Sequence, residues 1–164
     1  MVLNRLEKYW LTAVAVALGA YTAALIAGAL VFGIHLPSPV GRIDPQKLDS
    51  TAFAQPGIHN IGGNRYEAYI LAKMWAYDAG PDAGPVGAPP TLRFPVGSEV
   101  TFYVTSKDVV HGFYVEEHSL SLMVVPGQIA RGTINFNRPG TFHIICHEFC
   151  GAGHQIMYGQ IVVE

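Results

Sequence analysis

Soft metal ligands are concentrated near the end of the chain, in the segment 146–157. Two thiols, an imidazole and a thioether lie within twelve residues, at Cys146, Cys150, His154 and Met157. Thiolate and thioether sulfur, together with imidazole nitrogen, favour copper over hard cations. A mononuclear blue-copper site takes one Cys, two His and a weak axial Met. The segment therefore predicts a copper site, with the second imidazole supplied by the more distant His111.

The second cysteine goes beyond what a single copper ion requires. A thiolate at Cys150 beside one at Cys146 would allow the pair to bridge a second copper ion. Three other interpretations compete: a disulfide in an oxidising compartment, a hydrogen-bonded core histidine at His111 with Met157 as a gap filler, and a zinc site, although structural zinc rarely recruits methionine. Copper is the interpretation that uses all of these residues together.

Short strands separated by turn residues make up the chain beyond residue 63. Apolar and polar residues alternate over 66–70, 100–105 and 120–124, which is the pattern of half-buried strands. Stretches rich in Gly and Pro lie between the strands and mark turns. These features predict a β-sandwich or barrel over 64–164. Loops cluster at the ends of such a fold, so His111 can meet the segment 146–157 there.

The N-terminal part has a different composition. Residues 9–36 contain no Asp, Glu, Lys or Arg, and about 20 apolar helical residues span a bilayer core. The competing interpretation, a cleaved signal peptide, has a shorter apolar core of about 7–15 residues. Arg5 and Lys8 precede the run, so the positive-inside rule keeps the N-terminus cytoplasmic. We predict a single transmembrane anchor over 1–36 in the cell membrane, a linker over 37–63, and a periplasmic or extracellular domain over 64–164.

The overall composition excludes one class of partner. Half of the residues are hydrophobic and 13% are charged, whereas soluble domains average about 25% charged residues. The formal net charge of −2 offers no basic excess for nucleic acid. The chain is therefore expected to associate with a membrane and not with nucleic acid.

The pattern Cys-x-Glu-x-Cys-x-x-x-His-x-x-Met at 146–157, with a distant histidine, resembles the binuclear CuA domain of cytochrome c oxidase subunit II. The single anchor and short loops are most similar to the B-type haem–copper oxidases. The resemblance implies an all-β, Greek-key cupredoxin sandwich or barrel preceded by one N-terminal transmembrane helix. It also implies two copper ions with two bridging thiolates, one imidazole on each ion, and two weak ligands. The implied ligands are His111, Cys146, the backbone carbonyl of Glu148, Cys150, His154 and Met157.

The resemblance also implies a function. Such a subunit accepts electrons outside the membrane from cytochrome c or a small copper protein. It passes them to haem in the catalytic subunit I of a terminal oxidase, where O2 is reduced to water. The chain alone would be an electron carrier, and enzyme activity would belong to the complex. The alternatives are the CuA subunit of a membrane nitric oxide reductase and a membrane-tethered copper carrier.

Two aromatic residues match the cluster through which this family receives electrons. They are Trp75 and Tyr77, and the alternative for Trp75 is ordinary core packing. Lys73 stands where many members have an aromatic residue at which electrons arrive. The resemblance therefore implies electron transfer through Trp75 and Tyr77, by a route that differs at Lys73.

Two acidic residues also acquire roles through the resemblance. The carboxylate of Glu148 is expected to bind Mg²⁺ shared with the catalytic subunit, since this hard ion prefers oxygen ligands. Glu7 matches a glutamate near the cytoplasmic mouth of a proton path in the B-type oxidases. The alternative for Glu7 is an interfacial charge in contact with solvent, which costs little outside the bilayer core.

Overall fold

The computed structural model describes residues 4–31, 39–84 and 88–164. The chain divides into two compact units, residues 1–36 and 37–164. In the described part of the first unit, a single helix, α1, covers Arg5–Val31. By length and composition α1 is able to cross a membrane, a test that an N-terminal signal sequence also passes. An N-terminal apolar helix is thus confirmed, while residues 1–3 and 32–36 of the predicted anchor lie outside the described residues.

The second unit consists of short strands arranged in two sheets. The first sheet has the order β1-β9-β6-β3-β2, with β4 also paired to β3, and the second has the order β5-β11-β10-β7-β8. Two pairs are parallel, β3 with β6 and β5 with β11. The strands are β1 (Gly41–Arg42), β2 (Gly57–Gly62), β3 (Arg65–Lys73), β4 (Ala76–Asp78), β5 (Thr91–Phe94), β6 (Ser98–Ser106), β7 (His111–Val115), β8 (Leu120–Val124), β9 (Gln128–Phe136), β10 (Gly140–Ile145) and β11 (Tyr158–Val163).

The core lies between the two sheets and follows the predicted alternation. In β8, Leu120, Leu122 and Val124 are buried while the residues between them are exposed. The rings of Phe94 and Phe136 stack with their centroids 5.9 Å apart. Full burial of a side chain of this size contributes about 1.5–3 kcal/mol. Because this core is made within the second unit, we expect a fragment of residues 37–164 to fold without the helix.

The structure differs from the sequence prediction in the segment 37–63. From residue 39 onward it contains β1, which pairs with β9, and β2, which pairs with β3. Between them, Leu48 and Phe53 are buried in a small second core with Leu71. These two residues lie in short 3-10 helices, and β2 is largely exposed. The segment therefore lacks the alternation of apolar and polar residues that predicts a strand. The compact unit therefore begins before β1 and not at residue 64.

Strand pairing brings the segment 146–157 to the same end of the fold as His111. β10 and β11 pair up to Ile145 and Tyr158, so the loop between them begins and ends at one point. A hydrogen bond from the backbone N–H of Cys146 to the carbonyl of Met157 closes its base at 3.3 Å. β7 lies on the other side of β10 and begins at His111. Two local elements are thus joined into one site by sheet pairing.

Candidate metal centre

Three ligand atoms form the centre of the site. One ring nitrogen of His111 and the Sγ atoms of Cys146 and Cys150 all lie within 4.8 Å of one another, and all three residues are buried. The two sulfurs are 3.7 Å apart and both cysteines are free. The structure therefore contains no disulfide between Cys146 and Cys150. Two unlinked sulfurs beside an imidazole are compatible with a copper site.

The remaining predicted ligands surround the two sulfurs. Cys150 Sγ lies 3.6 Å from His154 Nδ1 and 3.8 Å from Met157 Sδ. On the other side, Cys146 Sγ is 3.3 Å from the backbone carbonyl of Glu148. The carbonyl contact arises because the loop folds back between the two cysteines. It involves a backbone atom, so the types of the side chains do not predict it. The structure thus brings together every residue to which the sequence resemblance assigned a ligand role.

One nitrogen of His111 shows that the site suits a metal ion. His111 is fully buried, and its Nε2 is 2.8 Å from Oδ1 of Asp108. Its other ring nitrogen, Nδ1, has no hydrogen-bond partner among the described residues. A buried polar atom without a partner is costly and calls for an explanation. A metal ion shared with the neighbouring sulfurs would satisfy this atom.

The pKa values of the two thiols shift in opposite directions. Burial raises the pKa of Cys146, but its polar contacts with His111 and the backbone N–H of Gly112 outweigh burial and lower the pKa to about 6. Burial and the adjacent Cys146 raise the pKa of Cys150 to about 12. Cys146 is therefore the more acidic of the two thiols. A metal ion that binds both sulfurs has to displace the proton of Cys150.

The two predicted electron-transfer aromatics contact the backbone of the centre. The indole N–H of Trp75 donates to the carbonyl of Cys150 at 3.0 Å. Its ring also covers Gly153 so closely that a Cβ there would lie 2.4 Å from Trp75 Cδ2. The hydroxyl of Tyr77 donates to the carbonyl of Gly112 at 2.5 Å, and burial raises the pKa of this hydroxyl. Tyr77 is buried in the core, whereas Trp75 is 38% exposed, and both residues contact the ligand-bearing segments.

Lys73 takes part in a different interaction. Its ammonium lies 3.0 Å from Oδ2 of Asp78 within the β3–β4 hairpin. Both side chains are about one-third exposed. The position expected to carry an aromatic residue is therefore occupied by one partner of a partly solvated ion pair, and Trp75 of the same hairpin contacts the loop.

The sequence prediction missed Asp108. Its Oδ1 contacts His111 Nε2 and accepts the N–H of Val109 at 2.7 Å, and its Oδ2 accepts the N–H of Met74 at 2.7 Å. These donors outweigh burial, which acts in the opposite direction, and lower the pKa of the carboxyl group. The one sequence signal was an acidic residue three positions before a candidate metal histidine. The bond to Met74 spans a long separation and was not predictable.

Glu148 and His147 lie beside the centre on another face. His147 Nε2 is 3.2 Å from the hydroxyl of Ser121 and 3.9 Å from Glu148 Oε1. The two residues line a cleft of about 430 Å³ together with Gln128 and Arg131. The carboxylate of Glu148 thus faces this cleft, while its backbone carbonyl faces the sulfurs.

Glu7 has a structural role at the start of α1. Its backbone N–H donates to Asn4 Oδ1 at 2.9 Å, and its carboxylate accepts the N–H of Asn4 at 2.7 Å. This reciprocal pair is a capping box, which satisfies helix N–H groups that have no intrahelical partner. The interaction accounts for Glu7 without a proton path, and a role in proton uptake stays a prediction.

The two sheets, with a buried sulfur-rich cluster at one end that could hold a metal ion, define a domain of the cupredoxin-like class. Known proteins agree with this class and narrow it. The family model for the periplasmic domain of cytochrome c oxidase subunit II matches residues 60–164. The chain belongs to the cytochrome c oxidase subunit II family.

Relatives and solved structures extend the similarity to nearly the whole chain. Cytochrome c oxidase subunit 2 of Thermus thermophilus is 35% identical over 166 residues, covering 96% of this chain and 91% of the relative. A chain of a haem–copper terminal oxidase dimer solved by cryo-electron microscopy is 36% identical, with a TM-score of 0.77 and coverage of 98% of this chain and 100% of that one. The periplasmic domain of subunit II of cytochrome oxidase of Bradyrhizobium japonicum, 22% identical with a TM-score of 0.52 over 60% of this chain and 83% of that one, shares the fold.

Proposed function

We propose that this chain is the electron-transfer subunit of a terminal haem–copper oxidase and holds a binuclear copper (CuA) centre. The observation that carries the proposal is the convergence of every predicted ligand on two unlinked sulfurs 3.7 Å apart. One sulfur suffices for a mononuclear site, and the second is suitably placed to bridge another copper ion. Nδ1 of His111, which has no hydrogen-bond partner in the described part of the chain, supports the same conclusion.

The protein's part in electron transfer is to hold its ligands still. A bound copper pair would supply a one-electron redox centre whose change in charge is spread over several bonds. The loop 146–157 is fixed at its base by pairing of β10 with β11 and along its length by Trp75. His111 is fixed at the start of β7 by Asp108. Ligands held on a rigid scaffold require little rearrangement between redox states.

We further propose a location and a partner for the chain. Helix α1 would anchor it with the N-terminus in the cytoplasm, and residues 37–164 would lie outside the membrane. This orientation rests on Arg5 and Lys8 before the apolar run. A haem-containing catalytic subunit I would receive the electrons, in keeping with the similarity to a chain of a haem–copper terminal oxidase.

The surface around the loop suits a protein electron donor. Phe149 is 81% exposed and Ile156 is 64% exposed, and Trp75 is partly exposed on the same site. Large apolar side chains exposed together mark interaction surfaces. We propose that cytochrome c or a small copper protein docks here through apolar contacts.

A Mg²⁺ shared with the catalytic subunit is the second metal of the proposal. The carboxylate of Glu148 is partly exposed in its cleft and belongs to the same residue whose carbonyl contacts Cys146. It would supply one oxygen ligand, and the partner subunit would supply the others. Hard divalent ions of this kind accept such isolated carboxylates.

Electron paramagnetic resonance of the copper-loaded fragment 37–164 tests the binuclear centre. Two copper nuclei that share one unpaired electron are expected to give a seven-line hyperfine pattern, with two copper ions bound per chain. A four-line pattern with one copper ion per chain would overturn the proposal and favour a mononuclear carrier. Full-length protein in detergent serves as the control for correct refolding.

Replacement of Trp75 by phenylalanine tests the role of the indole. The ring contact with Gly153 is kept, but the hydrogen bond to the carbonyl of Cys150 is lost. We expect the copper spectrum to persist and reduction by the donor to slow by about tenfold, the equivalent of about 1.4 kcal/mol. Stopped-flow reduction by cytochrome c measures the rate, with Trp10→Phe in α1 as the matched control. An unchanged rate would remove Trp75 from the electron path.

A further inference from the structure

Asp108 connects the metal centre to the exposed turn of the β3–β4 hairpin. One oxygen of its carboxylate contacts His111, and the other accepts the backbone N–H of Met74. We propose that Asp108 is a positioning residue that orients His111 toward the copper pair and, through its negative charge, keeps the reduction potential of the centre low. The effect on the reduction potential rests on the proposed function. The orientation of His111 by Asp108 does not depend on it.

The contact with Asp108 selects one tautomer of His111. A carboxylate accepts hydrogen bonds, so the ring nitrogen 2.8 Å from Oδ1 of Asp108 carries the proton. In neutral His111 that nitrogen is Nε2, and Nδ1 then presents its lone pair. Nδ1 is the buried atom with no hydrogen-bond partner among the described residues. Asp108 thus leaves the free lone pair on the ring nitrogen that is available to a metal ion.

The carboxylate is itself held in place. The N–H groups of Met74 and Val109 each donate to it at 2.7 Å, one to each oxygen. The hydroxyl of Ser106 is 3.4 Å from Oδ1 and also accepts the N–H of Asp108 at 3.2 Å. Rotation of the carboxylate would break at least one of these bonds. The orientation of His111 is therefore fixed by backbone groups from two separate segments.

A charged partner also changes the bonding of the imidazole. A carboxylate on the far nitrogen makes a metal-bound histidine a stronger donor, and loss of such a partner typically costs about 10- to 100-fold in metal affinity. A stronger donor stabilises the oxidised state of the copper centre, because that state carries the higher positive charge. Removal of the charge from Asp108 is therefore expected to favour the reduced state of the centre.

Asparagine at position 108 is nearly isosteric with aspartate, but its amide cannot accept all three hydrogen bonds, from the N–H groups of Met74, Val109 and His111. Whichever way the amide is turned, its NH2 group faces the N–H of Met74 or that of His111. We expect the binuclear spectrum to persist with altered hyperfine couplings. We expect the potential of full-length protein in detergent to rise by the equivalent of about tenfold in the redox equilibrium, or about 59 mV for one electron.

Asp78→Asn is the matched control. Asp78 is another partly exposed carboxylate, which pairs with Lys73 and accepts the N–H of Gly80, and it is not among the contacts of the metal cluster. Its variant removes the same charge, so any excess shift in Asp108→Asn reports the bond to His111. Asp108→Glu should recover part of the shift. Equal potentials in Asp108→Asn and Asp78→Asn would overturn the proposed tuning.

The orientation of His111 is testable without copper. Long-range ¹H–¹⁵N correlation spectra of copper-free, full-length protein labelled on histidine nitrogen should show a proton on Nε2 of His111. An Nε2 without a proton in the wild-type protein would overturn the positioning role, whether or not Asp108→Asn folds. Failure of the wild-type protein to bind two copper ions would instead contradict the proposed function and leave this measurement standing.

Discussion

Replacement of Cys150 by serine is expected to convert the proposed binuclear centre into a mononuclear one. The sulfur of Cys150 lies close to three other ligand groups, at 3.7 Å from Cys146 Sγ, 3.6 Å from His154 Nδ1 and 3.8 Å from Met157 Sδ. A serine hydroxyl is a hard, protonated group that does not replace a bridging thiolate. Loss of an outer-shell partner alone costs about 10- to 100-fold in metal affinity. We therefore expect the affinity for the second copper ion to fall by more than about 100-fold.

Copper stoichiometry and the hyperfine pattern measure this loss. The variant should bind one copper ion with a four-line spectrum, and its reduction by the donor should be lost in the assembled oxidase. Met157→Leu is the control, because it removes a weak ligand of similar volume and leaves both thiolates in place. A seven-line spectrum in Cys150→Ser would show that the second sulfur is not a bridge.

Replacement of Gly112 by alanine should disrupt the site through its backbone. A Cβ at this position would lie 2.2 Å from Nδ1 and 2.5 Å from the backbone nitrogen of His147. The backbone cannot move away without displacing Cys146, whose Sγ accepts the N–H of Gly112 at 3.4 Å. The carbonyl of Gly112 is also held, by Tyr77. Overpacking of a buried site costs about 1–3 kcal/mol and occasionally more, and we expect the upper end here.

Chemical unfolding and copper binding of the fragment 37–164 measure both effects of Gly112→Ala. The free energy of unfolding should fall by about 3 kcal/mol, and copper should bind weakly or with an altered spectrum. Gly132→Ala is the matched control in β9, where the added Cβ would meet the movable end of the Leu120 side chain. That variant should keep the wild-type copper spectrum. An unaltered spectrum and stability in Gly112→Ala would contradict the close packing of β7 against the loop.

The strands and the ligands were predictable for different reasons. Alternation of buried and exposed residues in β6 and β8 is a local property, so sequence patterns located these strands correctly. β1 and β2 carried no such alternation, because one is two residues long and the other lies largely exposed at a sheet edge. Their membership in the sheets follows from pairing with distant strands, and the segment was consequently predicted to be a linker.

The hydrogen bonds around the ligands likewise separate what a local sequence pattern predicts from what long-range contacts decide. Trp75 was singled out by resemblance, but its bond to the carbonyl of Cys150 joins residues 75 positions apart. Asp108 lies near His111 in the chain, yet its significance comes from the N–H of Met74, 34 positions away. Contacts of this length depend on sheet topology, which no local pattern encodes.

The sequence by itself determined the chemistry of the site. The types and spacing of the residues in 146–157 select a soft metal, because ligand preference is a property of the donor atoms and the loop is contiguous. Tertiary structure alone decided how the donors are aimed. The meeting of β7 with the loop, the carboxylate behind His111 and the indole over Gly153 all arise from pairing between distant segments. The lowest free energy of the whole chain sets these positions.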